Sequence, residues 1–412
     1  MLDINALKKA VAGEYAAIRR ITRLEPQGDK IFPPTYEGGE YAEEPRQVVV
    51  EGQDGPKVST VETVLLDSVQ SQANRMELAL LRAYDRGTIQ MPMLQVDFAG
   101  SDRDPILAEI GRITALEAPH RVCDAIFRDS VYPSGEPFRN AGPGAAMNTA
   151  KASAATSIFE LCPTALLFGF WDSTGPRGGM GAKVQRAIVS EIVGYEKVNG
   201  KRTSSRIDPL QIENNVDIYS GPNSGWTFEQ GEAQKDSNGK PIKLKPSEIN
   251  HGNIVPSFRH EDKTTRKTVL NHGGVTIAYA VQHTVLSLAA LRRLRFPLKN
   301  QYSAAVDDAA RTVLAALGLA AICLLDEDGY DLRSRCLLDG KPGAMEFVGR
   351  GEKEPFELNA SRASEILAQA AGAAKDLGLP WPEQPVILRP SPDLSKLVVE
   401  SRKRSMSAGA GA

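Results

Sequence analysis

The chain has 412 residues, of which 42% are hydrophobic, so it can bury one large core or two modest ones. Its formal net charge of −2 excludes a surface that is basic throughout, and any nucleic-acid-binding surface must be local. The four cysteines lack C-x-x-C spacing and the five histidines lack ligand-like pairing. This pattern predicts reduced thiols, a cytoplasmic location, no metal site and no cofactor.

The chain carries no predicted targeting or membrane segment. Its N-terminus lacks the charged-then-apolar pattern of a signal peptide. A membrane-spanning helix needs about 20 consecutive apolar residues. The longest apolar run, residues 309–325, is interrupted by Arg311 and Gly318. We therefore expect no export and no membrane anchoring.

The N-terminal part predicts a helix over residues 3–20, a strand over 16–28 and an irregular loop over 29–45. The sequence S-T-V-E at 59–62 fits a capping box, and apolar residues at helical spacing follow it as far as Leu80. A second helix is therefore expected from residue 59. Its opposite face carries hydrogen-bonding side chains, which are Gln70, Ser71, Asn74 and Arg75.

The middle of the chain predicts short strands and helices. The segments are a strand over 89–98, a short helix over 120–130 after Pro119, a loop with one possible helix over 133–157, a buried strand over 164–171 and a β-branched strand over 182–193. Arg121, Asp124 and Arg128 lie on one face of the short helix, where an ion ladder on a solvated surface also explains them. The last two strands enclose a glycine-rich loop.

This loop, G-P-R-G-G-M-G-A-K at residues 175–183, has two interpretations. A Walker A loop is excluded because Ala182 separates the last glycine from Lys183 and a strand follows instead of a helix. A dinucleotide-binding turn is excluded because the G-x-G-x-x-G pattern is missing. One remaining interpretation is a hairpin connection whose glycines supply positive φ. The other is a phosphate-binding loop that uses backbone amides and the charges of Lys183 and Arg186.

The second half of the chain is predicted to begin with an insertion. Residues 197–268 are polar and weakly periodic, which indicates a long hairpin or another excursion from the core. The elements predicted after it are a strand and a helix with a basic end over 273–296, a helix over 305–321, a strand over 331–338 and a disordered tail over 401–412.

No catalytic constellation is recognisable. His120 and His251 lack a serine or cysteine partner in a known nucleophile turn, and lone histidines are most often structural. Asp172, beside the glycine-rich loop, is a candidate for metal-assisted RNA cleavage, while a turn-initiating aspartate is the simpler interpretation. We therefore expect a protein without catalytic residues.

Long motifs in a fixed order run from about residue 15 to about residue 340. They are KIFPPTY (30–36), LLDSVQSQANRMELAL (65–80), LEAPHRVCDAIFRDS (116–130), CPTALLFGFWDSTGPRGGMGAKVQRAIVSEIVG (162–194), SRIDP (205–209), EINHGNIVPS (248–257), LSLAALRRLRFP (286–297) and GYDLRSRC (329–336). Together these motifs resemble the RAMP-superfamily backbone subunit of type I-G CRISPR effector complexes, formerly called type I-U.

The resemblance implies an α+β fold with a modified RNA-recognition-motif (ferredoxin-like) core and large insertions that form a palm, fingers and a thumb. The implied divisions are a palm over 1–196 and 269–345 with a helical or finger insertion near 99–160, a thumb over 197–268, a C-terminal extension over 346–400 and a disordered tail over 401–412.

The resemblance also implies a function. Copies of such subunits polymerise head-to-tail along the guide (crRNA) beside other Cascade subunits, and they leave guide bases free to pair with target DNA. They carry the guide without cutting DNA. A head-to-tail interface that does not close generates an open helical filament, which suits a polymeric ligand. Because guide sequences vary, the contacts should reach phosphate and ribose.

Residue type and motif position together define the candidate RNA contacts. The candidates are Lys30, Phe32, Gln70, Ser71, Asn74, Arg75, His120, Arg121, Arg128, Gly178, Gly179, Gly181, Lys183, Arg186, Arg206, His251 and Asn253. In the insertion, Trp226 or Phe258 is a candidate wedge between bases, and an aromatic without any RNA contact explains either residue equally well.

Two other functions stay open. One is a metal-dependent ribonuclease that cuts target RNA, as some backbone subunits of related type III complexes do, with Asp172 as its carboxylate. The other is a self-assembling structural protein without nucleic acid, in which the glycine-rich loop latches one subunit to the next.

Overall fold

The computed structural model describes residues 1–52, 55–100, 104–175, 181–222, 225–261, 268–270 and 272–409. Its α-helices are α1 (Ile4–Lys9), α2 (Val69–Asp85), α3 (Pro105–Ala108), α4 (Ala125–Arg128), α5 (Gly142–Ala146), α6 (Thr156–Leu161), α7 (Pro163–Phe168), α8 (Leu288–Leu291), α9 (Ala304–Asp328), α10 (Ala360–Asp376) and α11 (Pro392–Gly409). A π-helical turn, Ala10–Glu14, follows α1, and the 3-10 helices are Glu37–Gly39, Arg121–Cys123, Phe138–Asn140, Met147–Thr149 and Pro246–Ile249.

The strands of the first half are β1 (Ala17–Pro26), β2 (Glu43–Gly52), β3 (Gly55–Asp67), β4 (Leu94–Asp97), β5 (Arg112–Thr114), β6 (Ser130–Val131), β7 (Phe170–Trp171), β8 (Lys183–Val184), β9 (Ile188–Tyr195), β10 (Val198–Lys201) and β11 (Ser204–Arg206). The strands of the second half are β12 (Ile218–Ser220), β13 (Trp226–Thr227), β14 (Lys243–Leu244), β15 (Ile254–Ser257), β16 (Arg259–Glu261), β17 (Thr268–Leu270), β18 (His272–Thr276), β19 (Tyr279–Ser287), β20 (Tyr330–Arg333), β21 (Cys336–Asp339), β22 (Met345–Gly349), β23 (Glu352–Phe356) and β24 (Val386–Pro390).

A nine-stranded sheet forms the centre of the molecule. Its strands follow the order β2-β3-β9-β19-β1-β21-β20, and β22 pairs with the first half of β1 and with β23. All of these pairs are antiparallel. The central strands β1, β9 and β19 are far apart in the chain, so the sheet forms only when long loops close.

Strand β1 alternates between two environments. Ile18, Arg20, Thr22 and Leu24 are buried, and the residues between them are more exposed. Helices α2 and α9 pack together over the buried face, and α10 packs on α9. The sheet therefore has one face covered by helices, where the main core lies.

Buried polar side chains join the two covering helices to the sheet. Gln72 of α2 accepts hydrogen bonds from Ser190 Oγ of β9 (3.0 Å) and Gln282 Nε2 of β19 (2.8 Å). Gln282 accepts one from Arg20 Nη2 (3.1 Å), and Arg20 also pairs with Asp326 of α9. Because a buried polar group without a partner costs about 1–3 kcal/mol, these bonds fix both helices over the sheet.

Asp67, the last residue of β3, organises the start of α2. Its fully buried carboxylate accepts hydrogen bonds from Ser71 Oγ (2.7 Å), Gln72 Nε2 (2.6 Å) and Arg75 Nε (2.9 Å). The guanidinium of Arg333, on β20, lies 3.6 Å from the same carboxylate. The junction between β3 and α2 is thus held by charge as well as by packing.

The β2–β3 hairpin extends past the sheet. The two strands pair along their whole length, but β3 pairs with β9 only over residues 63–67. We call the outer segments, residues 47–52 and 55–60, the arm; at the usual rise per residue it is about 20 Å long. The arm carries a cross-strand pair of exposed valines, Val49 and Val58 (71% and 66% exposed).

Residues 196–278 lie between the neighbouring strands β9 and β19. They form small sheets in which β10 pairs with β18, β11 with β15, β16 with β17, and β12 with both β13 and β14. None of these strands joins the nine-stranded sheet within the described ranges. The segment is therefore an excursion between two core strands, as predicted.

A second sheet joins the C-terminal part of the chain to the middle. Its order is β5-β4-β24-β6, with β24 parallel to β4 and antiparallel to β6. The side chain of Trp381, which is buried, donates a hydrogen bond to the carbonyl of Gln90 (3.2 Å). The C-terminal segment is thus part of the folded core.

Several sequence-based predictions are confirmed. The α+β class is correct, the strand over 182–193 appears as β8 and β9, and the helix over 305–321 lies within α9. The strand and helix over 273–296 appear as β18, β19 and the short α8. Near 89–98 only Leu94–Asp97 forms a strand.

Other predictions are wrong. The helix expected from residue 59 begins at Val69, because residues 59–67 pair with β2 and β9 and Ser68 caps the helix. The helix over 3–20 ends at Glu14, since the following residues join the sheet as β1. The segment 164–171 is mostly the helix α7, which begins with Pro163 at a position that proline favours.

Three further differences concern short segments. The helix over 120–130 is split into a 3-10 turn and α4 by the extended backbone of Asp124, which caps α4. The strand over 331–338 is a hairpin of β20 and β21, because Arg335 adopts a positive φ of 63°. The tail predicted to be disordered continues α11 as far as Gly409.

One helix in the described part of the chain, α9, is long and apolar enough to cross a membrane. In this fold 83% of its most apolar window is buried inside the protein. The hydrophobicity of α9 therefore fits the role of a core helix, packed between α2 and α10.

We expect the Asp67→Asn substitution to lower the free energy of unfolding by about 3 kcal/mol, because Arg75 and Arg333 lose their buried anion. Urea unfolding followed by circular dichroism measures this. Asp85→Asn is the matched control: its ion pair with Arg112 is about 40% exposed on both sides, and its loss should cost less than about 1 kcal/mol. Equal effects of the two substitutions would contradict the role given to Asp67.

Candidate nucleic-acid interface

An open groove brings together residues from four separate segments of the sequence. They are Gln70 on α2, the turn 119–121, the end of α7 with β7 (168–171), and β8 with the following loop (183–186). The groove has a volume of about 440 Å³. Of the predicted contact residues, it unites Gln70, His120, Arg121, Lys183 and Arg186.

The floor of the groove is a buried ion pair. Arg121 donates through Nε and Nη2 to the two carboxylate oxygens of Glu77 on α2, both at 2.7 Å. Its Nη1 donates to the carbonyl of Gly169 at 3.1 Å. Arg121 adopts a positive φ of 51°, so this turn holds its backbone in an uncommon conformation. The guanidinium is fully engaged, and Arg121 supports the groove from below.

A two-stranded ribbon forms one wall. Phe170 pairs with Val184, and Trp171 pairs with Lys183. The strand predicted after the glycine-rich loop is confirmed, but the strand predicted before it is reduced to Phe170–Trp171, because residues 163–168 form α7. The ammonium of Lys183 lies 5.5 Å from the centre of the Trp171 indole, and both residues are exposed.

The base of the glycine-rich loop is anchored in the core. The Asp172 amide donates to the carbonyl of Ala182 (2.9 Å), and the buried Asp172 carboxylate accepts from Arg139 Nη2 (2.8 Å). A Cβ on Gly175 would lie 2.3 Å from an oxygen of Asp172, so only glycine fits there. The predicted contacts Gly178 and Gly179 lie outside the described residues.

Gly169 sets the position of Arg186. It has φ of 82°, and a Cβ there would lie 3.0 Å from the backbone nitrogen and Cγ of Arg186. The next residue, Ala187, donates to the carbonyl of Leu167 (2.7 Å). The loop after β8 therefore packs directly on the end of α7, which requires glycine at 169.

Arg186 is the least compensated cation in the groove. Within the described part of the chain, no hydrogen bond or ion pair reaches its guanidinium. Partial burial, and next the charge of Arg121, lower the pKa of Arg186, and the carboxylate of Glu77 only partly opposes them. An anion bound in the groove would relieve this penalty.

The polar face of α2 divides into two parts. Ser71 and Arg75 are bound to Asp67, and Arg75 also donates to the carbonyl of Leu332 (2.6 Å). Gln70 and Asn74 are exposed. Only the latter two side chains point into solvent, and of these Gln70 lines the groove.

Three predicted contacts lie elsewhere. Arg128 forms a two-pronged ion pair with the neighbouring Asp129, at 2.8 Å for each bond. The ammonium of Lys30 donates to the carbonyl of Lys201 (3.2 Å). The Phe32 ring is covered by the guanidinium of Arg335, 4.2 Å from its centre. The structure does not bring these residues to the groove.

Two motifs of the insertion meet in a hydrogen-bonded cluster around Asp208. The Asp208 carboxylate accepts from the amides of Gly252 and Leu210, and the Asp208 amide donates to Asn253 Oδ1 (2.8 Å). Arg206 lies on the adjoining strand β11, and His251 precedes Gly252, with its Nδ1 buried and without a partner within the described residues. The predicted contacts Arg206, His251 and Asn253 therefore cluster apart from the groove.

Sequence reasoning missed two exposed groove residues. Trp171 stood in an apolar run that predicted a buried strand, yet its side chain is 51% exposed. Gln185 accepts a hydrogen bond from Arg293 Nη1 (2.8 Å) at the groove edge. The position of Trp171 could have indicated its exposure, because it immediately precedes the polar D-S-T turn that opens the loop.

The carboxylate considered for metal chemistry is a structural one in this fold. Asp172 is 5% exposed, and its ion pair with Arg139 directs it into the core. Across the described ranges, no cluster of three or more His, Cys, Asp or Glu side chains is placed to hold a metal ion.

Residues 19–198, somewhat less than half of the chain, match the family model described as CRISPR-associated protein GSU0053 (Cas_GSU0053). This range includes every residue that lines the groove. No curated protein matches the chain. The family match supports a CRISPR-associated (Cas) protein with a role in CRISPR defence.

The ion pair on the groove floor predicts a pH dependence of stability. Burial raises the pKa of Glu77 to about 7, against the opposing effect of Arg121. Between pH 4.5 and 7 the folded state then keeps a proton that the unfolded chain has released, so stability falls as pH rises. The expected loss is up to about 3 kcal/mol.

Comparison with Glu77→Gln isolates this contribution, because the titration of all other groups cancels in the difference. We expect the unfolding free energy of wild type minus that of Glu77→Gln to fall between pH 4.5 and pH 7.5 in urea titrations. A difference that increases with pH would mean that the charge of Arg121, and not burial, controls the carboxyl group.

Proposed function

We propose that this protein is the guide-RNA-binding backbone subunit of a type I-G CRISPR effector complex. It polymerises along the crRNA in the cytoplasm with other Cascade subunits and presents the guide for pairing with target DNA. The observation that carries the proposal is the convergence of four segments from three motifs in one groove, with an exposed Lys183 and an Arg186 whose charge Glu77 only partly balances. The family match over residues 19–198 supports the CRISPR context.

The strand order supports a modified RNA-recognition-motif core. Along the chain the central elements are β1, α2, β9, β19, α9 and β22, and in space the strands follow the order β9-β19-β1-β22. A βαββαβ succession with both helices on one face is the pattern of a ferredoxin-like unit. In this proposal the insertion between β9 and β19 is the thumb and the arm is an additional projection.

The chemistry of the groove suits a ligand of variable sequence. Its polar side chains are the amide of Gln70, the imidazole of His120 and the cations of Lys183 and Arg186. Such groups bind phosphate and ribose and carry no sequence information by themselves. A guide whose sequence differs from one complex to the next needs contacts of this kind.

The arm supports assembly into a filament of copies. An isolated two-stranded hairpin is marginally stable in water, and this one exposes the apolar pair Val49 and Val58. An exposed apolar pair on a projecting hairpin is suited to contact the next copy in a head-to-tail chain. Repetition of that contact follows the guide without closing into a ring.

The proposal assigns no catalytic role. The carboxylate that a ribonuclease mechanism would use, Asp172, is already paired with Arg139 in the core, and it is better explained as the anchor of the glycine-rich loop. Cleavage of target RNA in the presence of magnesium, lost in Asp172→Asn, would favour the ribonuclease instead.

Substituting Lys183→Ala together with Arg186→Ala tests the groove. We expect the double variant to bind unrelated guide RNAs more weakly by a similar factor, because phosphate contacts ignore sequence. The slope of log affinity against log salt should become shallower by about 1.4, the value for two lost contacts to a single strand. Fluorescence anisotropy over a salt series measures both quantities.

The control for this experiment is Lys8→Ala with Lys9→Ala, which removes the same charge from an exposed surface of α1 outside the groove. This variant should retain the wild-type salt slope. A loss limited to one guide sequence, or equal losses in both double variants, would contradict phosphate binding in the groove.

Polar substitution of the arm tests assembly. In Val49→Ser with Val58→Ser we expect loss of RNA-dependent multimers, because the apolar contact between copies is removed, while affinity for an RNA that holds one copy is unchanged. Light scattering after size-exclusion chromatography measures the multimers. Leu377→Ser, at an exposed residue after α10, should leave assembly intact. Multimers of wild-type length in the arm variant would contradict this role.

A further inference from the structure

We infer that the indole of Trp171 stacks on a nucleobase of the bound RNA while Lys183 and Arg186 hold the adjoining phosphates. The inference rests on the proposed function and adds an aromatic contact to the same groove. It assigns a binding role to a residue whose surroundings had indicated a buried strand.

Trp171 differs from the other two tryptophans of the chain. Trp381 is buried in the core (4% exposed). Trp226, in the insertion, is 46% exposed but packs edge-to-face on Phe228, with ring centres 5.2 Å apart. Trp171 is 51% exposed, and the cation of Lys183 lies over its ring. A large exposed indole is suited to a partner that arrives with the ligand.

The backbone of Trp171 is held in place before any ligand binds. It pairs with Lys183 in the ribbon of β7 and β8, and the next residue, Asp172, is anchored by Ala182 and by the buried Arg139. A side chain on a fixed backbone loses less entropy on binding than one on a mobile loop. The site is thus prepared for stacking.

The ring and the two cations line the same groove. Lys183 and Trp171 are cross-strand neighbours, and Arg186 lies three residues further along the same groove wall. A base can cover the indole while its flanking phosphates meet the two cations. Stacking tolerates every base, because each has a π-face, so it is compatible with guides of any sequence.

The test compares intact RNA with abasic RNA of equal length, using an oligonucleotide that holds one copy of the protein. Wild type should bind intact RNA more tightly, by about 5- to 150-fold for one stacked base. Trp171→Leu should lose this preference, because leucine keeps an apolar side chain but has no ring. Trp171→Phe should retain most of it. Anisotropy titrations supply the affinities, and melting temperatures check that the variants are folded.

Tyr302→Leu is the matched control, since it removes an aromatic ring of equal exposure (51%) outside the groove, and it should keep the wild-type preference. If Trp171→Leu retains the full preference, or loses only self-assembly on long RNA, the stacking role is overturned while the proposed function stands. If wild type binds neither RNA in a salt-dependent way, the proposed function itself fails.

Discussion

The buried ion pair between Glu77 and Arg121 is the interaction on which the groove depends. Glu77 lies on α2, Arg121 lies on the turn after Pro119, and the same guanidinium binds the carbonyl of Gly169 at the end of α7. Three segments that are distant in sequence are thereby fixed to one another. Replacing Arg121 with a neutral residue would remove the contacts to Glu77 and to Gly169 at once and leave these buried oxygens without their partner.

Helix α2 is fixed from its other side by the sheet. Gln72 joins it to β9 and β19, and Asp67 holds its first turn. Ser71 and Arg75 both bind Asp67, so two of the four polar residues on this face of α2 stabilise the fold and are not available to a ligand. The exposed remainder, including Gln70, is available to a ligand in the groove.

The pairing of arginines with carboxylates explains how a chain with a net charge of −2 can present a local cationic groove. Two arginines near the groove are neutralised by buried partners, Arg121 by Glu77 and Arg139 by Asp172. In the proposed function few cations are then left for phosphate, so one copy should bind RNA weakly, and many copies on one RNA would multiply such contacts through effective concentration.

The sequence by itself determined the α+β class, the long core helix α9, the polar excursion between two strands and the strand that follows the glycine-rich loop, because each leaves a periodic or compositional pattern in neighbouring residues. Only the tertiary structure decided that α2 begins at Val69, since strand pairing overrides helical spacing in the preceding residues. Tertiary structure also decided which polar residues face a ligand. Arg121 and Arg186 have the same side chain, and the position of Glu77, far away in the sequence, makes Arg121 a support, while the guanidinium of Arg186 has no hydrogen-bonding partner among the described residues.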